Sequence, residues 1–195
     1  MLNEKTIGFA LCGSFCTHAQ ALSTMEQVKA TFANVIPIVS ESTAATDTRF
    51  GTAHDLMREL QRICDRRVIS TVKEAEPIGP QKLLDLLIIA PCTGNTLGKL
   101  NAGVADTSVT MAAKAHLRNG RPVLIAPSTN DGLAVSARNI GELMCRKHIY
   151  FVPFHQDDPQ GKPTSLVSDF SLVCPAAQAA LMGEQLQPVL MAPGK

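Results

Sequence analysis

Aromatic residues and surplus charge are both scarce in this sequence of 195 residues. Tryptophan is absent, tyrosine occurs once, and the formal net charge is only +1. No long block of lysine and arginine occurs, although binding to a nucleic-acid backbone needs clustered cations. A stacking platform for single-stranded nucleic acid also lacks the aromatic side chains that it requires. We therefore expect no nucleic-acid partner.

Signals for membranes, secretion and metals are also missing. No apolar run approaches the roughly 20 residues that cross a bilayer. The N-terminal segment MLNEKTIGFAL places an acid beside its base and has only a short apolar run, which makes a poor signal peptide. The six cysteines include no CxxC pair and no His–Cys cluster with zinc-like spacing. We expect a cytoplasmic protein with reduced thiols, no membrane segment and no metal site.

Short apolar runs alternate along the chain with longer amphipathic segments. The pattern predicts strands over residues 6–11, 35–40, 86–91, 122–127 and 149–154, and a further short strand near 67–70. It predicts helices over residues 18–32, 52–64, 107–119, 133–147 and 174–183. Pro37 favours an edge position for the second strand, because proline cannot donate to a sheet ladder.

This alternation predicts an α/β protein with a Rossmann-like, three-layer fold, in which a mostly parallel sheet lies between helices. We expect a single domain over residues 1–195. Its core covers about residues 5–155, and residues 156–195 form a polar loop, a C-terminal helix and a tail. The segment HQDDPQGKPTS is predicted to be this loop.

The four strand exits share a composition rich in glycine, serine, threonine and asparagine. They read LCGSFCTH, VSESTAAT, APCTGNT and APSTND. Ligands of parallel sheets bind outside the carboxyl ends of the strands, so these exits are expected to meet at one edge. Backbone amides at Gly13 and Ser14 are suited to a phosphate at a helix start, and an ordinary strand-to-helix turn with a serine near the cap is the alternative, which this loop taken alone favours. Neither GxGxxG nor GxxxxGK[ST] occurs.

Two asparagines follow strand-ending prolines in similar contexts, Asn95 in APCTGN and Asn130 in APSTN. A carboxamide both donates and accepts hydrogen bonds, which suits the edge of a heterocycle. The alternative is helix capping. His18 and His54 are the candidate acid–base residues closest to the exits in sequence, with a helix-start role and a surface role as their respective alternatives.

The segment PCTGNTLGKLNAGVAD resembles the PASANT-type motif of the flavin-binding cysteine decarboxylase family, a family of flavoproteins. APSTND resembles the second Pro-x-x-Asn loop of that family, and CGSF resembles its first phosphate-side loop. The resemblance covers about residues 5–155. It implies an FMN-type flavin at the boundary between two copies of the chain, in a homo-oligomer that is a trimer or an assembly of trimers.

The resemblance also implies the residues of the site. Asn95 and His54 are the candidate catalytic residues. The phosphate is expected near Gly13, Ser14 and Ser40, and the ring near Thr93, Asn95 and residues 126–130. The full set of expected cofactor-binding residues is Gly13, Ser14, Phe15, Ser40, Ser42, Pro91, Thr93, Asn95, Thr96, Ala126, Pro127, Ser128, Thr129 and Asn130.

Departures from the decarboxylases bear on the activity. Thr129 stands where they carry methionine before the asparagine, and their substrate-clamping, cysteine-containing segment has no match.

Within the family, AEPIGP, MAAKAHLRNGRPV and KHIYFVPFHQDDP resemble a subunit of sporulating bacteria that oxidises a small dicarboxylate together with an NAD(P)-binding partner subunit. This implies an oxidoreductase of the mother-cell cytoplasm. A flavin-dependent decarboxylase of a cysteinyl or aromatic acid, or a non-catalytic assembly subunit, remain alternatives.

Overall fold

The structure, a computed structural model, describes residues 4–192. The strands in this range are β1 Thr6–Leu11, β2 Asn34–Val39, β3 Leu86–Cys92, β4 Val123–Thr129, β5 Ile149–Phe151, β6 Phe154–Asp158 and β7 Lys162–Ser168. The helices are α1 His18–Phe32, α2 Glu41–Ala45, α3 Ala53–Cys64, α4 Val72–Ala75, α5 Gly94–Ala102, α6 Ser108–Leu117, α7 Val135–Met144 and α8 Val173–Leu181. No helix in the described range is long and apolar enough to span a bilayer.

The sheet is mostly parallel, with the strand order β2-β1-β3-β4-β7-β6, and β5 also pairs with β4. Strands β1 to β5 pair in parallel. Strand β7 is antiparallel both to the last residues of β4 and to β6. The chain reverses its direction of travel across the sheet between β1 and β3, which is where ligands of such sheets bind. The predicted α/β, Rossmann-like fold is confirmed.

Alternation along the strands divides the core into two layers. In β3 the side chains of Leu86 and Ile88 belong to one buried cluster, with Met25 of α1. Those of Leu87 and Ile89 belong to the other, with Val109 of α6. Neighbouring side chains of a strand point to opposite faces, so a strand that is apolar at every position needs cover on both. Helices α1, α3 and α8 supply residues to the first cluster, and α5, α6 and α7 to the second.

The region after β5 differs from the prediction. The strand predicted over 149–154 ends at Phe151, and a second strand begins at Phe154. Pro153 lies between them and has no N–H to donate. The predicted polar loop is instead the antiparallel hairpin β6–β7, in which His155 pairs with Val167. Polar residues concealed this hairpin, because one of its faces lines a cavity and does not pack into the core.

The remaining expectations concern the second strand and the tail. Pro37 lies in β2, which is the end strand of the sheet as predicted. The short strand expected near 67–70 is reduced to one bridge between Ile69 and Ile38. The tail is not loose up to residue 192, because the backbone of Phe154 accepts from Met191 and donates to Val189. Residues 193–195 lie outside the described range.

Candidate functional site

The exit of β1 is connected directly to the exit of β4. Ser14 adopts the left-handed conformation, with φ 64° and ψ 50°, immediately before a 3-10 turn over Phe15–Thr17. Its hydroxyl donates a hydrogen bond of 2.6 Å to the carbonyl oxygen of Ser128. A left-handed residue next to a helical turn makes successive backbone N–H groups converge, which is a common way to bind an anion. The first exit therefore has the geometry of an anion-binding turn.

The exit of β3 continues at once into α5. Thr93 is the N-cap, and its hydroxyl accepts from the backbone N–H of Thr96 at 3.2 Å. Gly13 lies against this cap, since a Cβ atom built on it would lie 3.3 Å from Cγ2 of Thr93. Thr93, and not Asn95, therefore caps α5. Asn95 follows one residue inside the helix, with its side chain exposed.

Gly94 allows α5 to begin very close to the loop that follows β4. A Cβ atom on Gly94 would lie 2.6 Å from Oδ1 of Asp131 and 2.6 Å from Oγ of Ser136. That carboxylate oxygen already accepts a 2.8 Å hydrogen bond from Ser136 and one from the Thr129 hydroxyl. The carboxylate therefore fixes the exit of β4 relative to the start of α7, and glycine is the residue that fits beside it.

A cavity of about 1130 Å³ opens over these three exits. The hairpin β6–β7 forms its remaining wall. Six of the predicted residues line it, namely Ser14, Thr93, Asn95, Ser128, Thr129 and Asn130. The carboxamides of Asn95 and Asn130 make no hydrogen bond with any residue in the range 4–192, so both are available to a ligand. The two asparagine loops lie at one site.

The other predicted residues lie around this cavity or outside it. Thr96, Pro91, Ala126 and Pro127 are buried. Phe15 lines a separate cavity of about 370 Å³ between α1 and α3. Ser40 caps α2, where its hydroxyl accepts from the backbone N–H of Thr43 at 3.3 Å and contacts the Ser42 hydroxyl. Neither Ser40 nor Ser42 is in the wall of the larger cavity.

His54 is not brought to the cavity of its own chain. Its side chain is 83% exposed on α3 and lies 3.8 Å from Asp55. In the sequence His54 follows the second strand. In the structure α2 and the loop 46–52 lie between that strand and α3, which carries His54. The prediction of His54 as a catalytic residue therefore stays a prediction, and it requires a site that is shared with another copy of the chain.

His18 has the structural role that the sequence left as its alternative. It is buried, and its Nε2 lies 2.8 Å from the carbonyl oxygen of Cys12. Burial lowers the pKa of His18, and the hydrogen bonds to backbone carbonyls oppose this shift only in part. The neutral ring thus donates to the turn after β1 and helps to fix its path.

The cysteines at the strand ends are not reactive groups. Burial raises the pKa of Cys12 to about 11 and raises that of Cys92 well above its ordinary value. A thiol must ionise to act as a nucleophile, so both remain protonated at neutral pH. Both belong to the second buried cluster, in which they act as small apolar side chains.

Sequence reasoning missed the hairpin side of the cavity. His155, Asp157, Ser165 and Lys162 line this wall. The Lys162 ammonium lies 2.8 Å from Oδ2 of Asp157, whose hydrogen bond raises the pKa of Lys162. The available signal was the short connection with Pro159 and Gly161 between the two runs, since a glycine-containing connection of this length is typical of a hairpin.

Charge in the cavity is unevenly distributed. Asp131, Asp157 and Asp169 line it, and Lys162 is the one lysine or arginine of the described residues that does so. No group of three or more His, Cys, Asp or Glu within residues 4–192 could hold a metal ion. The site therefore offers hydroxyls, carboxamides and backbone amides in place of a cluster of cations.

Outside the cavity, an ion pair holds the segment PCTGNTLGKLNAGVAD, which contains α5. The Lys99 ammonium contacts both carboxylate oxygens of Asp106, at 2.9 and 3.0 Å. The hydrogen bond from Lys99 lowers the pKa of Asp106. Between them Gly103 ends α5 with φ 71°, a left-handed conformation that favours glycine. These residues shape the helix that carries Asn95.

Comparison with known proteins gives consistent matches along the chain. A family model described as "Flavoprotein" matches residues 1–179. The B subunit of dipicolinate synthase of Bacillus subtilis (strain 168) is 41% identical over 190 residues, which are 97% of this chain and 95% of the relative. The crystal structure of the corresponding B subunit from Bacillus halodurans C has a TM-score of 0.91 and 41% identity, and the match covers 99% of both chains.

A more distant structure shares the fold. The FMN-dependent cysteine decarboxylase SpaF has a TM-score of 0.66 at 19% identity, and the match covers 94% of this chain and 99% of that one. The family match over residues 1–179 and the 41% identity over nearly the whole length establish the relationship. The chain belongs to the flavoprotein family.

Proposed function

We propose that this protein is the flavin-binding B subunit of a dipicolinate synthase. With an NAD(P)-binding A subunit, it would oxidise dihydrodipicolinate to dipicolinate (pyridine-2,6-dicarboxylate) in the mother-cell cytoplasm during sporulation. The observation that carries the proposal is the 41% identity over 97% of this chain with the B subunit of a dipicolinate synthase. This match covers both the asparagine loops and the hairpin wall of the cavity.

The cavity fits an FMN-type flavin. Its volume of about 1130 Å³ is large enough for a mononucleotide, since small-molecule sites range over roughly 300–1000 Å³. The free carboxamides of Asn95 and Asn130 provide donors and acceptors for the polar edge of a flavin ring. When bound, a flavin supplies a two-electron acceptor. We retain Asn95 as the candidate contact to the ring.

A phosphate group would be bound by backbone amides at the first exit. The Ser14 hydroxyl donates its hydrogen to Ser128, so its proton is already used in this structure. A phosphate oxygen only accepts, and the converging N–H groups after Gly13 are therefore the better donors. Ser40 and Ser42 lie at the next exit and would complete this side only with a ligand that extends beyond the cavity.

A dicarboxylate substrate requires more positive charge than one chain places here. Lys162 is the single lysine or arginine in the described cavity wall, and Asp157 neutralises it. A substrate with two carboxylates would then have to displace Asp157 and find a second cation elsewhere. We infer that the A subunit or another copy of this chain supplies that cation. In a trimer or an assembly of trimers, as the family resemblance implies, His54 would act only on a flavin held by another copy of the chain.

Reconstitution with the A subunit tests the proposal. Product formation, followed by the ultraviolet absorbance of dipicolinate, should depend on both chains, and the purified protein should be yellow. Full turnover with the A subunit alone would refute a catalytic role for this chain. Carbon dioxide release from a cysteinyl or aromatic acid would favour a decarboxylase. If this chain rejects FMN and still activates the A subunit, an assembly role would be favoured.

A further inference from the structure

One histidine faces the large cavity with a free ring nitrogen. His155 lies on β6 opposite Val167, and both side chains line the cavity. Its Nδ1 lies 2.7 Å from the backbone carbonyl oxygen of Gln156. A carbonyl oxygen only accepts, so in the neutral ring Nδ1 carries the proton and donates it. Nε2 then holds the lone pair, and it has no hydrogen-bond partner among residues 4–192.

The other four histidines are differently placed. His18 and His116 are buried, and their Nε2 atoms contact the backbone carbonyls of Cys12 and Pro122. His54 and His148 are exposed, and neither lines the cavity. Of the five histidines in the sequence, His155 is thus the one that combines an available basic nitrogen with a place in the site.

We propose that Nε2 of His155 accepts the proton that the substrate loses when its ring becomes aromatic. The inference rests on the proposed oxidation of a dihydropyridine dicarboxylate. In that reaction one ring carbon loses hydride, with both C–H electrons, to a flavin or nicotinamide acceptor. The C–H bond of the adjacent ring carbon breaks, its electron pair completes the aromatic ring, and its proton moves to Nε2. The products are the pyridine dicarboxylate, a reduced acceptor and an imidazolium.

The surroundings of His155 suit an imidazolium. The titratable groups that face the same cavity are Asp157 and Lys162 of the hairpin, Asp131 after β4, Asp169 after β7 and Cys16 of the first turn. Three of these are carboxylates and one is a cation, which Asp157 neutralises at 2.8 Å. An imidazolium formed here would therefore share the cavity with more carboxylates than cations, and the Gln156 carbonyl can accept the Nδ1 hydrogen in both protonation states.

Matched histidine-to-asparagine variants test the proposal in the reconstituted two-subunit enzyme. His155→Asn should lower kcat about 100-fold, the lower end of the range for a general base, since aromatisation already favours proton loss. It should also abolish the fall in rate at low pH that protonation of Nε2 causes. The control is His148→Asn on the exposed loop before β5, where φ is 65° and asparagine is tolerated. Unchanged kcat and an unchanged pH profile in His155→Asn would overturn the proposal.

Two further measurements separate proton transfer from a packing defect. In His155→Ala, added imidazole should restore a measurable fraction of the rate, whereas a damaged fold would not respond. Binding of pyridine-2,6-dicarboxylate to the reconstituted two-subunit enzyme, followed by calorimetry in two buffers of different ionisation enthalpy, should show proton uptake in wild type and His148→Asn only. Equal proton uptake in His155→Asn would contradict the assignment, as would absence of imidazole rescue.

Failure of this inference is distinguishable from failure of the proposed function. If the A subunit needs this chain for turnover but His155→Asn behaves as wild type, the function stands and the proton acceptor is another group. If the A subunit reaches full turnover alone, the proposed function fails, and with it the proton transfer assigned to His155.

Discussion

Gly94 is the position at which one added methyl group most directly tests the packing of the site. In Gly94→Ala, the new Cβ would lie 2.6 Å from Oδ1 of Asp131, whereas ordinary contacts begin at 3.4 Å. The carboxylate cannot rotate away freely, because Oδ1 accepts from both Thr129 and Ser136. The loop after β4 or the start of α5 must therefore move.

The expected change in the free energy of unfolding combines two costs and one gain. Overpacking costs about 1–3 kcal/mol, and loss of one hydrogen bond to the carboxylate costs about 1.5–3 kcal/mol. Alanine has a higher helix propensity than glycine, which stabilises the helix by at most about 1 kcal/mol. We expect Gly94→Ala to lower the free energy of unfolding by about 1.5–6 kcal/mol. For a chain of this length that corresponds to a Tm lower by roughly 3–24 °C.

The assay is urea and thermal unfolding, with an FMN titration of each variant. Gly98→Ala is the matched control, because it lies in the same helix and its Cβ would meet only Nδ2 of Asn139, at 3.5 Å. It should be neutral or up to about 1 kcal/mol more stable. Gly94→Ala should also bind FMN more weakly, since Asn95 and Asn130 flank the displaced contact. A Gly94→Ala protein as stable as Gly98→Ala would refute the reasoning.

Three further predictions concern the ligand, pH and the thiols. Asn95→Ala and Asn130→Ala should each weaken FMN binding about fivefold, as expected for about 1 kcal/mol per hydrogen bond; unchanged affinity in fluorescence titration would place the ring elsewhere. Burial lowers the pKa of His116 to about 4, so the unfolded chain binds the proton more tightly and stability should fall by up to about 3 kcal/mol between pH 6.5 and 4. Urea unfolding across that range should show a smaller loss in His116→Asn, and an equal loss would exclude this cause. Cys16 and Cys145 are exposed and should react with a maleimide in the native protein, with FMN protecting Cys16 alone because it lines the cavity; mass spectrometry that finds equal labelling with and without FMN would contradict the flavin site.

The regular part of the fold was predictable from local patterns. The apolar runs of β1 and β4 and the amphipathic α1 were placed to within a few residues, because burial on both sheet faces requires continuous apolar sequence. The parallel arrangement predicted that all four exits meet, and the first, third and fourth do line one cavity, whereas the second exit does not. The edge position of β2 followed from Pro37, whose missing N–H disfavours a central strand.

The hairpin and the histidines were not predictable in the same way. Residues 154–168 carry polar side chains on the face that lines the cavity, so their alternation did not have the apolar signature of a core strand. His54 was chosen because it follows the second strand in sequence, but the path of α3 carries it to the outside. His155 lies about sixty residues after Asn95, and only the antiparallel return of β7 onto β4 brings its strand to the same cavity.

The sequence by itself determined the fold class, the family resemblance and the two asparagine loops, because each depends on neighbours along the chain. Strand burial, helix capping and the Pro-to-Asn spacing are local properties. The tertiary structure alone decided which side chains share the cavity, and that its three exits meet where Ser14 bonds to Ser128, Gly13 lies against Thr93 and Gly94 lies against Asp131. The residues in these contacts are between 37 and 114 positions apart, and no local pattern specifies the distances between them.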